Sequence, residues 1–270
     1  MKGEAVNEIY SRSFGTGPRP VLAVHCSLAH SGAWRALGAE MEQEARLLAY
    51  DMLSHGRSPD WDGQGNFQTL NVEAGLALLE RREKPVDLLG HSFGATVALR
   101  IAKARPDLVR SLVLIEPVLF AVTRQEAPEE QAALDGLEAP FGEYYAAGDL
   151  ENATRFFNRI WGPGKPKWPD LPDHTRAAML RAMRVIPESY ATLYLDEIGI
   201  LQPGALDAVD MPCLLVSGGD SQPVMPLINE GLARRLPDAK CLTVEGAGHM
   251  LPITHPVETA EILRGFWRDF

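Results

Sequence analysis

One pentapeptide, placed between a strand pattern and a helix pattern, constrains the fold more than any other feature. Gly90-His91-Ser92-Phe93-Gly94 follows the apolar run Val86–Leu89 and leads into Gly94–Ala104, whose apolar residues have helical spacing. A G-x-S-x-G sequence alone arises by chance in glycine-rich loops. Between a strand and a helix, however, it forms a tight turn that lifts the serine hydroxyl above the sheet. The sequence therefore predicts Ser92 as a nucleophile at a helix N-terminus.

Short apolar runs on both sides of this unit predict an α/β fold with a mostly parallel central sheet flanked by helices. A strand, a helix and a second strand at this spacing form a right-handed parallel crossover. Continuous apolar runs are typical of strands that are buried on both faces. Val257–Phe270 is predicted to be the closing helix. The predicted strands are Pro20–His25, Arg46–Tyr50, Val86–Leu89, Leu112–Ile115, Cys213–Val216 and Cys241–Val244.

The stretch 118–206 contains no strand pattern and instead shows helical patterns separated by proline and glycine. Asp149 can cap one helix, Asp173 can cap a second that extends to Ile186, and Ser189–Ile198 forms a third pattern. Residues 162–172 are predicted to be a loop. The sequence thus predicts a helical cap at 118–206, inserted after the strand that ends at Glu116, and a core formed by 1–117 and 207–270.

A serine hydroxyl needs a base to accept its proton, and His249 is the predicted base. It follows the last predicted strand in a glycine-containing loop, at the sheet edge where ligands bind in open α/β sheets. His174 and His255 are interpreted as ordinary surface or core residues. The remaining histidines are expected to shape loops; they are His25, His30, His55 and His91.

The base in turn needs an acid, for which two residues compete. Asp220 follows the strand Cys213–Val216, and the order Ser92, Asp220, His249 is the chain order of a nucleophile-elbow hydrolase. Glu116 ends the preceding strand and is the alternative; otherwise it is a buried carboxylate that supports the site. The sequence favours Asp220.

A tetrahedral intermediate requires two N–H donors for its oxyanion. The backbone N–H of Phe93, directly after the nucleophile, is predicted to be one. The loop after the first strong strand, His25-Cys26-Ser27-Leu28, is expected to provide the other, and Ser27 is the predicted donor.

Charge and composition exclude several classes of function. A formal net charge of −10 argues against a nucleic-acid partner, which requires a basic surface. Three widely separated cysteines support neither a disulfide framework nor a zinc site, so no metal is predicted. The stretch 1–19 contains no signal-peptide pattern, and no apolar run is long enough to span a bilayer. A cytoplasmic protein is expected, with no prediction of its oligomeric state.

These residues resemble those of the α/β-hydrolase superfamily over nearly the whole chain. The resemblance is to the branch that includes cofactor-free esterases, haloperoxidase-like perhydrolases and carbon–carbon-bond hydrolases. His25-Cys26 stands at the usual His-Gly position, with Trp34 at the usual distance, and Asp51–Ser58 is similar to the family's D-x-x-G-x-G-x-S loop. Two departures are Cys26 in place of glycine and Ser54-His55 in place of Gly-His. Serine at the nucleophile position argues against dehalogenase and epoxide hydrolase chemistry.

The sequence therefore predicts a serine hydrolase that cleaves a small ester, thioester or related acyl or carbon–carbon bond through an acyl-enzyme on Ser92. No dinucleotide, P-loop or zinc-protease motif is present, so no cofactor is expected. An acyltransferase with the same triad and a receptor with little turnover are the alternatives. The substrate is expected to be a small molecule with an apolar portion. Cap aromatics such as Trp161 are expected to set chain-length preference; the candidates are Tyr144, Tyr145, Phe156, Phe157, Trp161, Trp168, Tyr190 and Tyr194.

Overall fold

The computed structural model of the protein describes residues 8–162, 166–268 and 270. In this part of the chain, seven strands form one sheet in the order β1-β3-β2-β4-β5-β6-β7. β1 is antiparallel to β3, and all other neighbours are parallel, which confirms the predicted mostly parallel α/β sheet. The strands are β1 (Ser11–Phe14), β2 (Arg19–Val24), β3 (Ala45–Tyr50), β4 (Val86–His91), β5 (Val109–Ile115), β6 (Cys213–Gly218) and β7 (Ala239–Val244).

Eleven α-helices are found in the same residues. Three lie between the strands of the first half, namely α1 (Arg35–Glu40), α2 (Phe67–Leu79) and α3 (Phe93–Ala104). Five lie between β5 and β6 and are called the inserted helices: α4 (Ala121–Glu126), α5 (Pro128–Ala146), α6 (Leu150–Trp161), α7 (Asp173–Met183) and α8 (Tyr190–Tyr194). The last three are α9 (Val224–Ala233), α10 (Leu251–Thr254) and α11 (Pro256–Trp267).

The sheet has a hydrophobic core on each face. In β2, Leu22 and Val24 belong to one buried cluster, whereas Val21 and Ala23 belong to the other. Successive strand side chains point to opposite faces, so this alternation requires cover on both sides of the sheet. All six residues of β4 are buried. Burying a side chain such as Leu88 of β4 contributes about 1.5–3 kcal/mol. Burial on both faces therefore holds β4, the strand that ends directly before Ser92, firmly in the sheet.

The inserted helices agree in part with the predicted pattern. Asp149 caps α6 as predicted, with its Oδ1 accepting from Asn152 N at 3.1 Å. Pro172, not Asp173, occupies the cap of α7, and that helix ends at Met183 before the predicted Ile186. The pattern predicted over 189–198 forms only the short α8. Of the predicted loop, residues 163–165 lie outside the described part, as do 1–7 and Asp269.

Two features of the sheet differ from expectation. β1 was not predicted because its sequence, Ser-Arg-Ser-Phe, has too few apolar residues to give a strand pattern. Its pairing with β3 holds it at one sheet edge. The predicted strand Cys241–Val244 has a mostly apolar run typical of a buried strand, yet Cys241 is exposed. The reason is that β7 forms the opposite edge, where four of its six residues face solvent. No helix among the described residues is both long and apolar enough to cross a membrane.

Candidate active site

The turn between β4 and α3 holds Ser92 in a strained conformation. Ser92 has φ 56° and ψ −121°, in the left-handed region that non-glycine residues rarely adopt. Such a conformation costs about 1–3 kcal/mol and persists where surrounding contacts enforce it. Here the Ser92 N–H donates to the Ile115 carbonyl at 2.9 Å, which ties the turn to β5. The predicted strand–turn–helix unit around Ser92 is confirmed.

The glycine after the turn is required by close packing against β2. A Cβ atom at Gly94 would lie 2.3 Å from the carbonyl oxygens of both Val24 and His25. No real Cβ approaches an oxygen so closely, so a side chain here would push α3 away from β2. The second glycine of the pentapeptide therefore sets the distance between Ser92 and the loop that begins at His25.

Ser92, His249 and Glu116 form one continuous hydrogen-bonded chain. The Ser92 Oγ lies 3.0 Å from His249 Nε2, and His249 Nδ1 lies 2.8 Å from Glu116 Oε2. All three side chains are buried. Because the carboxylate accepts the Nδ1 proton, Nε2 keeps its lone pair and can accept the proton of the serine hydroxyl. The arrangement is that of a nucleophile, a base and an acid that orients the base.

Glu116 is fixed on both oxygens. Oε1 accepts from the Gly218 N–H at 2.7 Å, while Oε2 faces His249. The residue has φ 52°, so its backbone is strained as that of Ser92 is. A Cβ at Gly218 would lie 2.2 Å from the Ala247 carbonyl oxygen. Glycine at 218 therefore lets β6 approach the His249 loop closely enough for its N–H to reach Glu116.

Asp220, the acid that the sequence favoured, does not contact His249. Gly219 N donates to Val244 O at 2.8 Å, and Asp220 N donates to Ala247 O at 2.9 Å. These bonds turn the backbone after β6 along the loop that follows β7 and leave Asp220 exposed. Among the described residues, its carboxylate has no hydrogen-bond partner. The structure thus corrects the expected pairing and puts the alternative, Glu116, beside the base.

A cavity of about 440 Å³ opens at Ser92. Phe93 and Ser27, the predicted oxyanion donors, both line it together with Ser92 and His249. In the described part of the chain, neither backbone N–H is used in a hydrogen bond. The next amide, Leu28 N, donates to His55 Nε2 at 3.2 Å, which fixes the loop that carries Ser27. Both proposed donors are thus positioned at the cavity and available.

Three buried histidines brace the loops around the site, as the sequence predicted. His25 bonds the Cys26 carbonyl through Nδ1 and accepts from Met52 N through Nε2. His55 bonds the Leu53 carbonyl and the Leu28 N–H in the same manner. His91 Nε2 lies 2.8 Å from the carbonyl oxygen of His249, so it holds the backbone of the proposed base.

Burial lowers the pKa of all three from 6.5, to about 3 for His25, about 4 for His55 and about 3 for His91. Their folded pKa values lie below the unfolded value, so the unfolded chain binds more protons below about pH 6.5. We expect the free energy of unfolding to fall as the pH falls, by about 2 kcal/mol per histidine between pH 7 and pH 5. Urea titrations at several pH values measure this.

A matched pair of variants isolates the effect. His55→Gln should remove about a third of the histidine contribution to this slope, whereas His174→Gln should leave it unchanged, because His174 is exposed. Equal slopes for His55→Gln and the unaltered protein would contradict the neutral, buried state of His55.

The two departures from the family pattern have structural explanations. Ser54 has φ 61°, the conformation for which glycine is favoured, and its Oγ accepts from Trp61 N at 3.0 Å. Cys26 is buried beside the cavity, and burial raises the pKa of its thiol to about 12. Cys26 therefore stays protonated at neutral pH and is not a competing nucleophile.

The loop that resembles the family pattern, Asp51–Ser58, is held by its first residue. The Asp51 carboxylate accepts hydrogen bonds from Ser31 N and Arg57 N.

Some of the predicted aromatic residues reach the cavity. Those that line it are Phe157, Trp161, Tyr190 and Tyr194. Tyr144, Tyr145, Phe156 and Trp168 do not line it. The Trp161 ring meets the His249 ring edge-on, with centroids 4.8 Å apart. Trp161 is thus in contact with the proposed base, and the expectation that it acts on substrate length separately from the chemistry does not fit its position.

The cavity wall also contains charged residues that the sequence analysis did not identify. Arg124, Asp135 and Glu138 line it, the first from α4 and the other two from α5. α5 is 19 residues long and largely exposed; only Gln131 and Leu134 of its residues are buried, so its apolar positions form no clear stripe. In the sequence, the spacing of Asp135 and Glu138 by three positions, which puts both on one face of a helix, could have indicated them. Among the described residues, no group of three or more His, Cys, Asp or Glu side chains could hold a metal ion.

Comparisons with known proteins identify the family of this chain. Residues 21–262 match the Alpha/beta hydrolase family. A pimeloyl-[acyl-carrier protein] methyl ester esterase of Methylococcus capsulatus is 27% identical over 275 residues, covering 96% of this chain and 98% of that protein. Lipase LipV of Mycobacterium tuberculosis is 39% identical over 114 residues, 42% of either chain, so the match spans less than half of that lipase.

Solved structures show the same fold. An alpha/beta hydrolase from Sphaerobacter thermophilus superposes with a TM-score of 0.70 at 22% identity, covering 96% of both chains. Cfl2 from Burkholderia cenocepacia gives a TM-score of 0.74 at 21% identity, over 96% of this chain and 91% of the other. The family match covers most of the sequence, and the two relatives given above are named an esterase and a lipase. The chain is a hydrolase and belongs to the alpha/beta hydrolase family.

Proposed function

We propose that this protein is a serine esterase that hydrolyses a small ester or thioester through an acyl-enzyme on Ser92. The observation that carries the proposal is the hydrogen-bonded chain from Ser92 Oγ through His249 to Glu116, at 3.0 and 2.8 Å. A serine hydroxyl so placed is activated by its neighbouring base. The cavity volume of about 440 Å³ falls in the range of small-molecule sites.

The chemistry follows from the proton positions. As Ser92 Oγ attacks the carbonyl carbon, its proton passes to His249 Nε2, and the Glu116 carboxylate stabilises the imidazolium that forms. The Phe93 and Ser27 amides donate to the oxyanion. The protonated His249 then gives its proton to the leaving alkoxide oxygen or thiolate as the tetrahedral intermediate collapses. Water, deprotonated by His249, attacks the acyl-enzyme and releases the acid and Ser92.

The relatives favour an ester over a carbon–carbon bond as the substrate. The matched proteins of Methylococcus capsulatus and Neisseria meningitidis are named methyl ester esterases. An acyltransferase would use the same triad with an alcohol in place of water. The direct experiment is turnover of p-nitrophenyl and methyl esters of graded acyl length, with and without added alcohol. If the added alcohol does not suppress release of the carboxylic acid, the esterase is supported. If the ester of the added alcohol is the main product, the transferase is supported.

Residues 118–206 are proposed to act as a cap whose inner wall sets acyl-chain length. Phe157 on α6 lines the cavity and packs on Phe141, with centroids 5.6 Å apart. Phe157→Ala removes this ring and opens space in the cavity wall. We expect relative kcat/KM to shift toward longer acyl chains by about tenfold, with the best substrate little affected. The p-nitrophenyl ester series measures it.

Phe156→Ala is the matched control, since the adjacent Phe156 packs on Tyr144 and does not line the cavity. It should leave the length profile unchanged. The assignment of Phe157 fails if both variants shift the profile equally, or if folded Phe157→Ala loses activity on every chain length.

A further inference from the structure

A carboxylate lies in the otherwise largely apolar wall of the cavity. α5 presents Glu138 to the cavity, one helical turn from Asp135. Around them the wall contains apolar side chains, among them Val118, Phe120 and Leu193. A charged group in such surroundings is costly unless it has hydrogen-bond partners, so its presence at this position calls for a role.

Glu138 is half-buried, and its two oxygens have fewer donors than they can use. Trp161 Nε1 donates to Oε1 at 2.9 Å, and the Tyr194 hydroxyl donates to Oε2 at 2.9 Å. Each oxygen thus receives one hydrogen bond from the described part of the chain and can accept another. Burial raises the pKa of Glu138, which these two bonds only partly offset. A further donor from a bound molecule would stabilise the charged carboxylate.

Among the described residues, the cavity wall has one cation, Arg124, and it is already balanced. Arg124 lies 3.4 Å from Asp135 and stands over the rings of Tyr190 and Tyr194, at 5.5 and 5.1 Å from their centroids. With Arg124 and Asp135 paired, the described residues of this wall keep the negative charge of Glu138. A second anion brought into the cavity would be repelled, whereas a donor or a cation would be attracted.

We propose that this cavity selects esters whose acyl chain ends in a hydrogen-bond donor, a hydroxyl or an ammonium group, and that Glu138 accepts from it. The proposal rests on the proposed esterase function. Ser92 and Glu138 line the same cavity, and Trp161 lies between their surroundings, with its ring against His249 and its Nε1 on Glu138. In the proposal, an acyl chain attached at Ser92 extends along this cavity to Glu138. A chain that ends in a carboxylate meets charge repulsion there and is disfavoured.

Four methyl esters of one chain length test the proposal, with methanol release as the readout. They are methyl hexanoate, methyl 6-hydroxyhexanoate, methyl 6-aminohexanoate and monomethyl hexanedioate, which differ only at the far end. In the unaltered protein, kcat/KM for the hydroxyl-ended ester should exceed that for the hexanoate. The ammonium-ended ester should exceed the carboxylate-ended one by about tenfold or more.

Glu138→Gln removes the charge and keeps the size of the side chain. We expect the ammonium-to-carboxylate ratio of kcat/KM to fall by about tenfold. Glu143→Gln is the same chemical change on an exposed part of α5 and should leave the ratio unchanged. Because the ratio is taken within one protein, it cancels any general loss of rate caused by a shift of Trp161 against His249.

Two results would overturn the proposal. The first needs no variant: the unaltered protein prefers the carboxylate-ended ester, or prefers methyl hexanoate to its hydroxyl analogue. Either preference would show that Glu138 does not bind the end of the acyl chain. An unchanged ratio in Glu138→Gln would show that Glu138 only holds Trp161 and Tyr194. If no ester of any kind is hydrolysed, it is the esterase function that fails.

Discussion

Replacing Glu116 by glutamine is expected to lower kcat by roughly 10²–10⁴-fold with little change in KM. Glu116 Oε2 accepts the Nδ1 proton of His249 at 2.8 Å, and Oε1 is held by the Gly218 N–H. An amide can present its NH₂ to Nδ1, which favours the tautomer with the proton on Nε2. That tautomer cannot accept the proton of Ser92. Steady-state kinetics on the best p-nitrophenyl ester measure the loss.

Asp220→Asn is the matched control for this loss. Its carboxylate is exposed and lies apart from His249, so the same conversion of acid to amide should change kcat by less than about threefold. Circular dichroism should show that both variants are folded. A larger loss of kcat for Asp220→Asn than for Glu116→Gln would then contradict the arrangement seen in the structure. Asp220 would then be the acid that works in solution.

Ser92→Ala is expected to lower kcat/KM by at least about 10⁴-fold. His249→Ala should lose a similar amount, and the double variant should lose little more than either single one, because the two side chains act as one unit. Hydrolysis of the best p-nitrophenyl ester, compared with the uncatalysed rate, gives all three values.

Ser27→Ala serves as the control for this set. The proposed oxyanion donor at this position is the backbone N–H, which alanine retains, so the activity should be largely kept. Additive losses in the Ser92 and His249 double variant would contradict a shared mechanism. So would a substantial rate remaining in Ser92→Ala.

The sequence was sufficient to predict the elements whose side chains are buried or strained. Buried strands such as β4 are continuous apolar runs, and Ser92 is framed by two glycines. The close approach of β2 requires Gly94, and the close approach of α3 requires Gly90. His249 was found because the carboxyl ends of parallel strands meet at one edge of the sheet. Each of these signals is local in the chain, and each corresponds to a local physical constraint.

The choice of acid could not be made in the same way. Glu116 and Asp220 both follow strands at the correct edge, and both can reach a histidine on the next loop. Which of the two acids contacts His249 depends on backbone hydrogen bonds between the loop after β6 and the end of β7 with its following loop. They run from Gly219 N to Val244 O and from Asp220 N to Ala247 O. Such pairings join residues distant in sequence and leave no pattern in the chain.

Exposed elements were also missed, for a different reason. β1 and Cys241 lie at the two edges of the sheet, where half-exposed strands show weak hydrophobic patterns. α5 shows no apolar stripe, because one part of its surface lines a cavity that contains both aromatic and acidic groups. Its role in the site became visible only when Glu138 was seen beside Trp161 and Tyr194.

The central claim is that Ser92 is an activated nucleophile, and labelling with a fluorophosphonate probe tests it most directly. The probe reacts with a serine only when a neighbouring base accepts its proton, here His249 at 3.0 Å. Mass spectrometry of the digested protein should find the adduct on the peptide that contains Ser92, and Ser92→Ala should remain unlabelled. An adduct on another residue, or unchanged labelling of Ser92→Ala, would contradict the account.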